Sequence, residues 1–99
     1  MSEYSTYMIA DARLVILKEL KAQTDGRLNE TILTSVLDTF GYRKSRDWVR
    51  TQLRAMADVG AVAITEVGSV LIAEITRAGL DHVDRRTVIE GIARPSPGA

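Results

Sequence analysis

At Gly60 the spacing of apolar residues changes, and that change limits what this chain can fold into. Before it, apolar side chains recur every three to four positions, as on a helix with one buried face. After it, Ala61-Val62-Ala63-Ile64-Thr65-Glu66 and Val70-Leu71-Ile72-Ala73-Glu74-Ile75 are rich in β-branched residues, and Val67-Gly68-Ser69 supplies a turn between them. These segments predict a β-hairpin. A two-stranded hairpin is marginal alone, so one of its faces must close a core against the helices. The 99 residues suffice for one domain. With no cysteine, neither disulfides nor thiolate metal sites can support it.

Three helices are expected ahead of the hairpin. The first spans about Tyr7 to Ala22, with Ala10, Leu14, Leu17 and Leu20 at helical spacing and Gly26 in the turn beyond. Arg27-Leu28 is a link with room for one or two extended residues. Asn29 has the side chain of an N-cap, and Glu30 suits the first turn of a second helix. Ile32, Leu33, Val36, Leu37 and Phe40 form its expected buried stripe, and Gly41 stops it. Ser45 caps a third helix, with Val49, Leu53, Met56 and Ala57 inward and Gly60 as its end. Two helices joined by a short turn containing glycine make a helix-turn-helix. Thr76 caps a fourth helix, about Arg77 to Arg86, with Leu80 and Val83 inward. Within it, Gly79 costs about 1 kcal/mol relative to Ala. The expected fold is α+β: a winged helix-turn-helix over residues 1–86, with three helices, a two-stranded wing and a C-terminal helix. Residues 87–99 form a flexible tail rich in Pro, Gly and Ser.

Three segments resemble winged-helix proteins of the MarR and ArsR type: Ser45-Arg46-Asp47-Trp48-Val49-Arg50-Thr51-Gln52-Leu53, then Gly60-Ala61-Val62, then Ile75-Thr76-Arg77-Ala78-Gly79-Leu80. Ile75 stands where those families place Leu. The chain is also similar to a small family encoded in Mu-like transposable phages and prophages. That likeness rests on the Ser-Arg-Asp-x-Val-Arg-Thr segment, on Val67, Gly68, Val70 and Leu71, and on Arg94-Pro95-Ser96-Pro97-Gly98. Fold does not fix function, and the phage family carries no activity across.

Net charge is zero, which argues against coating nucleic acid by bulk electrostatics. The charge is nonetheless local. Arg43, Lys44, Arg46, Arg50 and Arg54 are five of the thirteen basic residues, whereas residues 55–76 contain none. In DNA-binding winged helices the second helix of the helix-turn-helix enters the major groove. On that pattern Arg50, Thr51 and Arg54 meet base edges with Arg46 at their flank, Arg43 and Lys44 in the turn before the helix hold phosphates, and the cap Ser45 belongs to the same candidate DNA-binding set. The resulting expectation is a small transcriptional regulator of phage or prophage origin, binding double-stranded DNA as a homodimer. Exchanging Arg50 and Arg54 for Ala should then abolish binding at nearly unchanged thermal stability. Asp47, Asp58 and the acidic hairpin tip at Glu66 oppose this reading, and a solvated amphipathic face is the plainer explanation.

The alternative is an adaptor or inhibitor that binds a phage or host protein. If Leu71, Ala73 and Ile75 point inward, Val62, Ile64, Val70 and Ile72 fall on the outer wing face, where polar residues are expected. That face is then covered by a second copy, by Val88, Ile89 and Ile92 of the tail, or by another partner. Tyr4 and Tyr7 are expected to anchor the N-terminus on the core or on a second subunit.

No catalytic group stands out. His82 is the single histidine and is expected as a surface helix residue, not a metal ligand. Ser45 and Ser69 lack a paired base, and no phosphate-binding glycine loop is present. No enzyme activity, metal or cofactor is expected. No segment is long and apolar enough for a membrane, and the start Met1-Ser2-Glu3-Tyr4 lacks the features of a signal peptide, so the bacterial host cytoplasm is the default location.

Overall fold

A computed structural model describes residues 2–97. The elements run α1 (Glu3–Ala22), β1 (Arg27–Asn29), α2 (Glu30–Thr39), α3 (Arg46–Asp58), β2 (Val62–Val67), β3 (Val70–Ile75) and α4 (Arg77–Val83). The architecture is α+β, with four helices and one antiparallel sheet. The sheet has three strands in the order β1-β3-β2, not two. The Arg27-Leu28 link is therefore a strand, pairing Leu28 with Ala73 and Asn29 with Ile72. α1 begins four residues earlier than its apolar spacing suggests, because the Ser2 side chain accepts the Ser5 N–H and caps it.

The caps at Asn29, Ser45 and Thr76 form as expected, each side chain accepting a backbone N–H three residues on. They fix where α2, α3 and α4 start, and so fix which side of each helix faces inward. Ile16, Leu17 and Leu20 of α1 meet Leu33 and Leu37 of α2 and Val49, Leu53 and Met56 of α3 in one core. Burying each such side chain contributes about 1.5–3 kcal/mol. The expected α2 stripe is only half realised. Leu33 and Leu37 are fully buried, whereas Ile32 and Phe40 are exposed at the margins of the stripe.

The hairpin register differs from the expectation by one residue. A three-residue turn at 67–69 would set Ile64 opposite Ile72. The turn instead has two residues, Gly68 and Ser69, with Gly68 at φ 60°, and Val67 pairs with Val70. Positive φ at the first turn position suits the right-handed strand twist, and glycine adopts it without strain. Because strand side chains alternate, one residue of slip exchanges the faces. Val62 and Ile64 therefore turn inward with Leu71, Ala73 and Ile75, and the outer face holds Ala63, Thr65, Val67, Val70, Ile72 and Glu74.

The segment expected as a flexible tail is held along α1 as far as Ala93 and by Arg85 at Pro95, with Ser96 and Pro97 exposed beyond. Ile92 is buried in the core, the Ala93 N–H donates to the Ala10 carbonyl, and Arg13 reaches the Gly91 carbonyl. Arg85 donates to the Pro95 carbonyl. This segment covers α1, not the outer sheet face, and Val88 stays exposed. Residues 98 and 99 of the expected tail lie outside the described residues.

His82 is not a surface residue. It is buried, its Nδ1 accepts the Ile89 N–H at 3.0 Å, and its Nε2 lies 2.8 Å from the Ala93 carbonyl. With Nδ1 as acceptor, Nε2 carries the proton and donates. α4 also ends three residues short of the expected Arg86, where Arg85 takes φ 64°. The imidazole thus joins two turns of the 84–93 segment that have no helix of their own.

Candidate nucleic-acid interface

α3 presents Val49, Gln52, Leu53 and Met56 to the core, which leaves Arg46, Asp47, Arg50, Thr51, Arg54 and Asp58 on its outer side. The seven residues expected to meet DNA do lie together, along α3 and the turn before it. Their side chains are in different situations.

Arg43 is almost fully exposed, 3.7 Å from Asp38. The Lys44 ammonium sits 5.4 Å from the centre of the Trp48 ring, a cation–π contact that holds the indole half-buried against the core. The Ser45 hydroxyl accepts the Trp48 N–H as the cap of α3. Arg46 and Thr51 are exposed, and the Thr51 hydroxyl donates to the Asp47 carbonyl in its own helix. Arg54 pairs with Glu66 of β2 at 2.5 Å, both groups more than half exposed. Exposed pairs of this kind contribute little, about 0–1 kcal/mol.

Arg50 is the exception, and it corrects the expectation of a free base-reading arginine. Its guanidinium donates to both oxygens of Glu30, at 2.7 and 3.0 Å, and to the Ser69 carbonyl at 2.9 Å. Glu30 is fully buried beneath it and also accepts the Leu71 N–H at 2.8 Å. Burial pushes the Glu30 carboxyl up. The Leu71 N–H, the Arg50 guanidinium and the nearby Arg46 charge outweigh it, so the group titrates below the ordinary carboxylate range. Arg50 thus joins α3, the start of α2 and the hairpin turn through one buried carboxylate.

The electrostatic result is a balanced surface. Glu30 and Glu66 take up Arg50 and Arg54, and Asp47 and Asp58 lie on the same side of the helix. Arg43, Lys44 and Arg46, grouped at the α3 N-terminus, are the cations of the predicted set left without a close ion pair to a buried or hairpin carboxylate. Among the described residues no group of three His, Asp or Glu side chains is placed to hold a metal ion. Among these residues, too, no helix is long and apolar enough to cross a membrane.

Among known proteins, the uncharacterized protein gp26 of Escherichia phage Mu is 35% identical over 89 residues, spanning 90% of this chain and 92% of its own. The chain belongs to the family of that phage protein. The match runs nearly end to end in both chains. No family model and no solved structure matches the chain.

Two groups of residues in this family member escape a reading by spacing alone. Glu30 occupies the first helical turn, where an acid suits the helix dipole, and nothing in its neighbourhood signals burial. Tyr4, Tyr7 and Phe40 are exposed by 72, 65 and 61%. A count was the available signal for these three. The chain has five aromatic residues, and a domain that spares so few for its core leaves the others to be accounted for.

Proposed function

We propose that this phage protein is a winged-helix adaptor that binds a protein partner through the outer face of its sheet. The element order, the helix-turn-helix of α2 and α3, and a hairpin packed on one face support the winged-helix reading. The observation that carries the function is an apolar strip on that outer face. Val67, Val70 and Ile72 lie on the solvent side, beside Ile32 of α2. Val67 and Ile32 are 57 and 45% exposed. The rest of the face is polar, with Thr65, Glu74, Arg27 and Asn29, as a wet sheet face ordinarily is, so the strip stands apart from it. A shallow cleft of about 350 Å³ continues the strip between β1 and α2, lined by Asp25, Arg27, Leu28, Asn29, Ile32 and Ile72. An apolar floor with one acid and one base at its rim suits an amphipathic segment of another protein.

Replacing Ile32 and Val67 together by Asp tests this, because both side chains are exposed and the fold should be kept. The parent should recover one discrete phage or host protein from infected cells, and the variant should lose it at an unchanged melting temperature. Recovery by the variant as well as by the parent contradicts the reading.

A DNA-binding regulator is the second reading, favoured by the helix-turn-helix and by exposed Arg43, Arg46 and Thr51. It rests on about three cations where the sequence counted five, so its salt dependence should be shallow, with a slope of roughly −3 in log–log form. A duplex retained at physiological salt by the parent, and lost on replacing Arg43 and Arg46 by Ala, would favour it over the adaptor.

A further inference from the structure

We propose that a second copy of this chain docks on the outer face of α1, in an antiparallel two-fold pair. Three of the five aromatic side chains lie on one exposed surface here, when a core of this size has use for them. At 100° per residue, Tyr4, Tyr7, Asp11, Val15 and Lys18 form a stripe opposite the buried Ile16 and Leu20. Phe40, at the end of α2, stands over the C-terminal half of that stripe. With Leu14, Val15 and Lys18 it lines a cleft of about 290 Å³.

The stripe is self-complementary. Its N-terminal half carries two protruding rings, and its C-terminal half carries a cleft with Leu14, Val15 and Phe40 as apolar walls and Asp11, Lys18 and Glu19 around them. A two-fold axis beside Asp11 sets residue 4 opposite 18 and residue 7 opposite 15. The tyrosines of each protomer then enter the partner's cleft, and the contact is made twice, as an isologous interface requires. In this register Lys18 comes beside Glu3 of the other copy while Glu19 falls opposite that Glu3, and Lys21 is held by Asp84 of its own chain, so charge is balanced and the fit of rings to cleft sets the direction. Asp11 sits at the axis, where its carboxylate accepts the hydroxyl proton of Tyr42 of its own chain. Large aromatics carry about 150–250 Å² each, so the exposed parts of Tyr4, Tyr7 and Phe40 supply ~400 Å² per protomer. That is about half of the ~800 Å² per partner of a standard interface before the rest of the stripe is counted.

The absence of native cysteine allows a direct test. Tyr7→Cys and Val15→Cys are made as separate full-length chains, mixed and oxidised. The expected product is the 7–15 heterodisulfide. Tyr7→Cys alone should not crosslink, since the two 7 positions are displaced by about 12 Å along the helices. Sedimentation of the parent should give a dimer at tens of micromolar, and Tyr4→Ser with Tyr7→Ser should give a folded monomer. A parent that stays monomeric overturns the proposal. So does a serine variant that stays dimeric, or a 7–7 crosslink in place of 7–15. The adaptor reading uses the opposite surface, so partner recovery by the serine variant separates failure of one proposal from failure of the other.

Discussion

Arg50→Ala is expected to cost about 3 kcal/mol of stability, a fall of roughly 15 °C in melting temperature for a domain of this size. The exchange leaves the Glu30 carboxylate buried with the Leu71 N–H as its remaining partner, and it frees the Ser69 carbonyl at the hairpin turn. Breaking a buried pair by removing one member is costly because the other charge stays in place, uncompensated. Arg54→Ala offers a control within the same helix. Its partner Glu66 is exposed, so the change should fall below about 1 kcal/mol. The effect of Arg50→Ala should also depend on pH. The folded-state pKa of Glu30 is depressed, so its contribution is present above the ordinary carboxylate range and is lost as pH falls through the lower folded value. Parent and variant should therefore converge in acid, as followed by thermal melts across pH. Equal melting temperatures at neutral pH would mean that Arg50 is free. The sequence alone leads to the opposite expectation, that Arg50 is dispensable for stability.

Gly79→Ala is the second substitution whose sign reverses once the packing is known. By helix propensity, alanine in α4 should gain about 1 kcal/mol. In the structure a Cβ at Gly79 would stand 2.4 Å from the Ala61 carbonyl oxygen and 2.8 Å from Ile75 Cγ1. The carbonyl has little freedom to yield, because the Thr76 N–H donates to it at 3.2 Å and the Thr76 hydroxyl bridges it, at 3.0 Å, and the Gly60 carbonyl, at 2.6 Å. α4 would have to lift, and with it would go the cap bond from the Gly79 N–H to the Thr76 hydroxyl oxygen. A loss of about 2–3 kcal/mol is expected. Urea unfolding reads it directly, and a variant as stable as the parent would show that α4 does not pack as closely on the β2 entry as described.

These two positions show where sequence reasoning ends for this chain. Local signals were legible because their causes are local. Asn29, Ser45 and Thr76 cap helices with their own side chains, and Leu17, Leu33, Val49 and Leu53 are set inward by spacing within one helix. Relations between elements were not legible. A one-residue difference in turn length decided whether Val62 and Ile64 faced solvent or core. Glu30, Gly79 and His82 read as an ordinary dipole partner, a weak helix residue and a surface histidine. Each takes its role from groups at least seven residues away in sequence: Arg50 and Leu71, Ala61, and Ile89 with Ala93. The candidate site was legible as a location, since its residues do line α3. The use of those residues was not, because the ion-pair partners Glu30 and Glu66 come from α2 and β2.

α3 commits its central arginine to Glu30 and the hairpin turn and not to a ligand. A double-mutant cycle with Glu30→Gln, Arg50→Met and the pair, each unfolded in urea at neutral pH, measures this most directly. Coupling of about 2 kcal/mol or more is predicted, with the double variant more stable than the two single losses together would allow. Additive losses would contradict it, and would return Arg50 to the surface as a residue available for nucleic acid.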